Sequence, residues 1–236
     1  MQKLFKILVV PFLVLFLCAG TAIADNITIY DGAGYLADGQ GGEVNETEEG
    51  MVNSLEWDLQ AFLLEGNILS MGGGFNFLTG VSSYTTAPRD YTSGDIFLNT
   101  NGDGVYDYVI DVDWSTLTYD VFSLDINSTL IDVYLTQNIL SNPWKYESGG
   151  TLLSGYEDLT FSSDSSGASG YSQFVTGFDL SFLGVDQDFI AHFTMGCGND
   201  NLMGSTAPVP EPATMLLLGT GLIGLVGVGR KKLFKK

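Results

Sequence analysis

The stretch Tyr108-Val109-Ile110-Asp111-Val112-Asp113 alternates apolar and acidic side chains with a period of two. An extended backbone puts Asp111 and Asp113 on one face and Ile110 and Val112 on the other. Phe178-Asp179-Leu180-Ser181-Phe182 follows the same rule. Between such runs stand Gly, Asn, Asp and Ser, the residues that make turns. Helical spacing is scarce between the two ends of the chain. The pattern predicts strands at 27–30, 55–64, 68–71, 75–78, 95–98, 106–113, 117–124, 131–135, 174–182 and 189–195. Short strands with turns between them predict an all-β fold, a jelly-roll-like β-sandwich. Glu43–Gly50 and the Ser/Gly-rich Asp158–Gly170 read as loops.

Charge is divided by position. All 28 Asp and Glu lie between Asp25 and Glu211, where only Arg89 and Lys145 are basic. That span carries a net charge of −26. Such a polyanion repels nucleic acid and anionic membranes and attracts divalent cations. The other basic residues sit at the ends, five of them in the last seven positions.

The N-terminus has Lys3 and Lys6, an apolar run from Ile7 to Leu17, and then Ala22-Ile23-Ala24. This is the three-part layout of a secretory signal peptide over residues 1–24, cleaved after Ala24 with Ala22 at the other small position and Asp25 becoming first. An uncleaved N-terminal anchor is the competing reading. Leu17 before Cys18 argues against a lipoprotein, because a small residue is needed there. Cleavage removes Cys18 and leaves Cys197 as the one cysteine, so no intrachain disulfide can form.

At the other end, Ala213–Gly229 is an uncharged run of seventeen residues. That is close to the roughly 20 a membrane-spanning helix needs. The following Arg230, Lys231 and Lys232 act as a stop-transfer cluster held on the cytoplasmic side. Gly219, Gly221 and Gly224 match a dinucleotide fingerprint by letter. They lack the strand before and the βαβ unit after that the fingerprint requires.

Val209-Pro210-Glu211-Pro212, an apolar helix and a basic terminus together resemble the PEP-CTERM sorting signal. Met71–Phe77, Gly94–Tyr108 and His192–Asp200 also resemble blocks of exosortase-dependent surface proteins of Gram-negative bacteria. The resemblance implies recognition by an exosortase, cleavage near Pro-Glu-Pro and loss of the helix. It implies no catalytic activity. The two prolines keep Glu211 out of helix and strand, in an extended segment at the membrane face. The bland alternative is a permanent C-terminal anchor.

Asn99-Thr-Asn101-Gly-Asp103-Gly104-Val-Tyr-Asp107 approaches a calcium loop, with oxygens at alternate positions and Gly at the sixth. Asn99 stands where Asp is usual, and Ile110 where a bidentate Glu is expected. Calcium is therefore a weak candidate with Asn99, Asn101, Asp103 and Asp107 as ligands. The favoured alternative is a hairpin turned by Asn-Gly-Asp-Gly. His192 is the single histidine, and it and Cys197 read as structural. Trp57, Trp114 and Trp144 could stack on sugar rings, although core positions are the usual fate of tryptophan.

These readings predict a signal peptide (1–24), an acidic β-domain (25–204), a linker (205–209) and a sorting segment (210–236) with its helix at 213–229. They predict a non-catalytic protein exported through the inner membrane to the cell surface or beyond. Its partners would be signal peptidase, an exosortase and exopolysaccharide, as in a biofilm matrix. The alternatives are a secreted carbohydrate- or calcium-binding module and, third, a secreted hydrolase.

Overall fold

The computed structural model describes residues 24–29, 55–83, 89–163, 171–184 and 187–206. The chain divides into two units, 1–205 and 206–236, and every described strand belongs to the first. The first strands are β1 (Asp25–Asn26), β2 (Leu59–Glu65), β3 (Ile68–Gly73), β4 (Val81–Ser83) and β5 (Arg89–Tyr91). Then come β6 (Ile96–Asn99), β7 (Tyr108–Asp113), β8 (Thr118–Ser123), β9 (Thr129–Ile131) and β10 (Lys145–Ser148). The last are β11 (Thr151–Asp158), β12 (Thr160–Ser163), β13 (Gln173–Asp179), β14 (Ile190–Thr194) and β15 (Asn201–Ser205).

Two antiparallel sheets dominate. One runs β1-β2-β3-β13-β12 and the other β11-β8-β7-β6-β14-β15. Period-two alternation decides which residues meet between them. From the first sheet come Leu59, Phe62, Leu69, Met71, Val175 and Phe178; from the second come Ile96, Leu98, Ile110, Val112, Val121 and Phe193. All belong to one buried cluster, so the two sheets share a core. Within the second sheet β6, β7 and β8 form successive hairpins, and β14 returns to lie beside β6. The order β14-β6-β7-β8 is that of a Greek key.

Buried polar groups tie the sheets together. Asp200 accepts the Leu59 backbone N–H at 2.6 Å through Oδ2 and the Asn201 N–H at 2.7 Å through Oδ1. The Tyr119 hydroxyl donates to the Gly177 carbonyl at 3.2 Å and accepts the Asp179 N–H at 2.7 Å. Each of these side chains reaches from the six-stranded sheet to the other.

The six-stranded sheet is covered on its second face as well. Phe97 and Val109 alternate with the core residues of β6 and β7, and with Tyr146 of β10 they make a separate buried cluster. The β9–β10 pair forms this outer cover. The Phe122 and Tyr146 rings stack 4.8 Å apart beneath it.

Several expectations are corrected. Residues 75–78 form no strand: the Asn76 side chain accepts the N–H groups of Leu78 and Thr79, closing a turn that drops Phe75 and Phe77 into the core. The expected strand at 131–135 ends at Ile131, and the chain then enters a 3₁₀ segment, Thr136–Ser141. Residues 181–183 are likewise 3₁₀ and not strand. Part of the expected 158–170 loop is β12, paired through Phe161↔Val175. β15 reaches Ser205, the first residue of the expected linker. Among the described residues no helix is long and apolar enough to cross a membrane. The signal peptide and the expected helix at 213–229 lie outside the described residues.

Candidate functional site

Asn99 ends β6, and Asn101, Asp103 and Asp107 fall in the turn that joins it to β7, the two strands pairing through Ile96↔Ile110 and Leu98↔Tyr108. The expected hairpin is present. Its oxygens are engaged along the turn itself. Asn99 Oδ1 accepts the Asn101 and Gly102 N–H groups at 3.1 and 2.7 Å. Asn101 Oδ1 accepts the Asp103 N–H at 2.9 Å, and Asp103 Oδ1 the Val105 N–H at 2.8 Å. Asp107 Oδ2 accepts both the N–H and the hydroxyl of Thr100 at 2.7 Å. Gly102 and Gly104 adopt φ of 71° and 83°, which a β-carbon would disfavour. The loop carries two carboxylates, fewer than a tight calcium site uses. Among the described residues no three His, Cys, Asp or Glu side chains converge to hold a metal.

A second constellation lies where the β9–β10 cover stops. Asp111 of β7 and Asp120 of β8 are direct cross-strand partners on the outer face of the six-stranded sheet. With Asp113, Lys145 and Thr92 they line a groove of about 420 Å³. Burial raises the Asp111 pKa, the nearby Lys145 charge lowers it, and Asp120 and Asp113 raise it again. The partner of Asp120 on β11 is Gly155, where a β-carbon would come within 2.4 Å of Asp120 Oδ1. Beneath lies Asp95, fully buried, whose carboxylate accepts the Val112 N–H at 3.0 Å and the Tyr146 N–H at 2.7 Å. Burial pushes its pKa up to about 7 despite the opposing influence of Lys145 and these hydrogen bonds. The alternation at 111 and 113 announced the acidic face. Nothing local announced Asp120 and Lys145 as its neighbours, because strand pairing brings them there.

His192 and Cys197 are both buried. His192 is 1% exposed in the middle of β14, and its Nε2–H donates to the Pro143 carbonyl at 2.9 Å. Burial pushes the imidazole down to about 4, so it is neutral at physiological pH. Burial likewise pushes the Cys197 thiol up to about 12. Trp57, Trp114 and Trp144 are all buried, which removes them as exposed platforms for sugar rings. The Trp114 indole donates to the Gly94 carbonyl at 2.9 Å and stacks on Phe77.

Of the export residues, Ala24 and Asp25 are described, and Asp25 opens β1 opposite Leu64. Cleavage after Ala24 would make the new N-terminus the first residue of an edge strand. Ala22, Val209, Pro210, Glu211, Pro212, Arg230, Lys231 and Lys232 lie outside the described residues. Residues 208–231 match the model of the PEP-CTERM protein-sorting motif. No curated protein and no solved structure matches the chain.

Proposed function

We propose, from the premise that this is a PEP-CTERM sorting-domain protein, that it serves as a non-catalytic component of the cell surface or extracellular matrix and associates with exopolysaccharide. The motif at 208–231 carries this reading and implies exosortase-dependent sorting of an exported surface protein. Within the proposal, signal peptidase removes residues 1–24. The basic cluster at 230–232 halts transfer, so the apolar helix at 213–229 rests transiently in the inner membrane. The exosortase then cuts beside Pro210-Glu211-Pro212 and releases the acidic domain outside. That domain is a β-sandwich of jelly-roll type, a reading supported by two sheets on one core and the Greek-key order.

Intact-mass measurement on protein recovered from the host's surface tests the reading. The expected species begins at Asp25 and lacks Met215–Lys236. Replacing Pro210-Glu211-Pro212 with three alanines should leave the tail attached and the protein in the membrane fraction. Cytosolic protein with both termini intact would overturn the proposal.

A further inference from the structure

We propose that the groove framed by Asp111, Asp120 and Lys145 is a binding cleft for saccharide units that carry no acidic groups. The inference rests on the reading of polysaccharide association and assigns it a place in the fold and a ligand class.

The groove is built at an electrostatic cost. Like charges directly opposite across two strands repel, yet Asp111 faces Asp120. Asp113 adds a third carboxylate to the same lining, and Lys145 is its one cation. The backbone on either side of Lys145 is fixed from below. Asp95 accepts the N–H of Tyr146, and its own N–H donates to the Trp144 carbonyl at 3.0 Å, so both residues flanking Lys145 are fixed. Gly155 leaves the space beside Asp120 that any other side chain would fill.

The lining chemistry selects the ligand. At about 420 Å³ the groove lies within the roughly 300–1,000 Å³ of small-ligand sites. Carboxylates accept hydrogen bonds from hydroxyls, and an ammonium donates to them. Sugars present both requirements on adjacent carbons. Three carboxylates against one ammonium repel uronates and phosphates. A metal is disfavoured because no three ligating side chains converge among the described residues. An apolar ligand would find Val112 and Tyr119 already turned into the core. Trp114 also lines the groove but is only 8% exposed, too little to stack on a sugar face, so recognition is mainly polar, single sites are weak and a polymer gains by occupying many copies at once.

The test uses the exported protein purified from its host. It is titrated with neutral gluco-oligosaccharides, amino-sugar oligosaccharides, oligouronates and the host's own polysaccharide. The expected result is binding of the first two classes and none of the uronates. Asp120→Asn and Lys145→Met should each weaken binding about ten-fold, the loss of one charge-assisted hydrogen bond. Asn101→Ala, outside the groove, should not. A measurement on the unaltered protein guards against misfolded variants. Lys145 is the only lysine between residues 25 and 229, so bound saccharide should protect one defined site from amine acylation. Unchanged affinity in both variants with no protection would overturn the cleft and leave polysaccharide association standing. Binding of uronates alone would overturn the ligand class. Release of reducing ends would replace binding with hydrolysis. If neither the oligosaccharides nor the host polysaccharide bind, the association itself falls, and the cleft with it.

Discussion

Asp95 and Tyr146 are joined by a buried hydrogen bond across 51 residues of sequence, the carboxylate Oδ2 accepting the backbone N–H at 2.7 Å. The bond fastens the outer β9–β10 cover to the six-stranded sheet. It also places an acid with a pKa of about 7 in the same layer as His192, whose pKa is about 4.

These two groups drive stability in opposite directions with pH. The folded-state pKa of Asp95 is raised, so its contribution is greatest in acid and is lost as pH rises toward 7. His192 is depressed, so its contribution is present above 6.5 and is lost as pH falls toward 4. By the free energy of a pKa shift, Asp95 spans about 4 kcal/mol at most and His192 about 3 kcal/mol. Between about pH 4.5 and 6.5 the slopes oppose, and wild-type stability should be nearly flat. Urea unfolding across that range should show stability rising with pH in Asp95→Asn and falling with pH in His192→Gln. Parallel slopes in all three proteins would refute the assignment.

Glycine positions separate packing from backbone strain. A β-carbon at Gly94 would come within 2.1 Å of the Trp144 carbonyl oxygen and 2.7 Å of the Thr194 carbonyl oxygen. Gly94→Ala should cost about 3 kcal/mol, at the upper end of overpacking losses. A β-carbon at Gly102 meets open space, although φ there is 71°. Gly102→Ala should cost only about 1 kcal/mol. Calorimetry of both variants would establish the order.

The β6–β7 turn offers a test for calcium. Asp107 accepts two hydrogen bonds from Thr100, so Asp107→Ala should cost about 1–2 kcal/mol in EDTA. The same loss in millimolar calcium would mark the carboxylate as a turn acceptor. A markedly larger loss in calcium, with a wild-type melting temperature that rises on titration, would establish the loop as a cation site.

The Cys197 thiol is buried and its pKa is pushed up to about 12. Thiolate is the reactive form. Iodoacetamide at pH 8 should therefore leave it unmodified in the native protein and alkylate it fully in denaturant. Rapid native labelling, or a disulfide-linked dimer on the host surface, would contradict this packing.

The sequence alone carried the sorting motif at 208–231 and the all-β class. The sorting signal is a linear code read by membrane machinery, so residue order suffices for it. Period-two patterning likewise revealed the strands around residues 106–124, because alternation is a local property of extended backbone. The Phe75–Leu78 stretch misled, since a buried turn and a strand can share apolar composition. β15 and the β9–β10 cover escaped notice because NLMGS, TLI and KYES are short and show little period-two alternation of their own. Tertiary structure alone brought Lys145 beside Asp111 and Asp120, buried Asp95 below them and withdrew the three tryptophans from solvent. Those are outcomes of strand register and layer packing, which bring together residues that are distant in sequence.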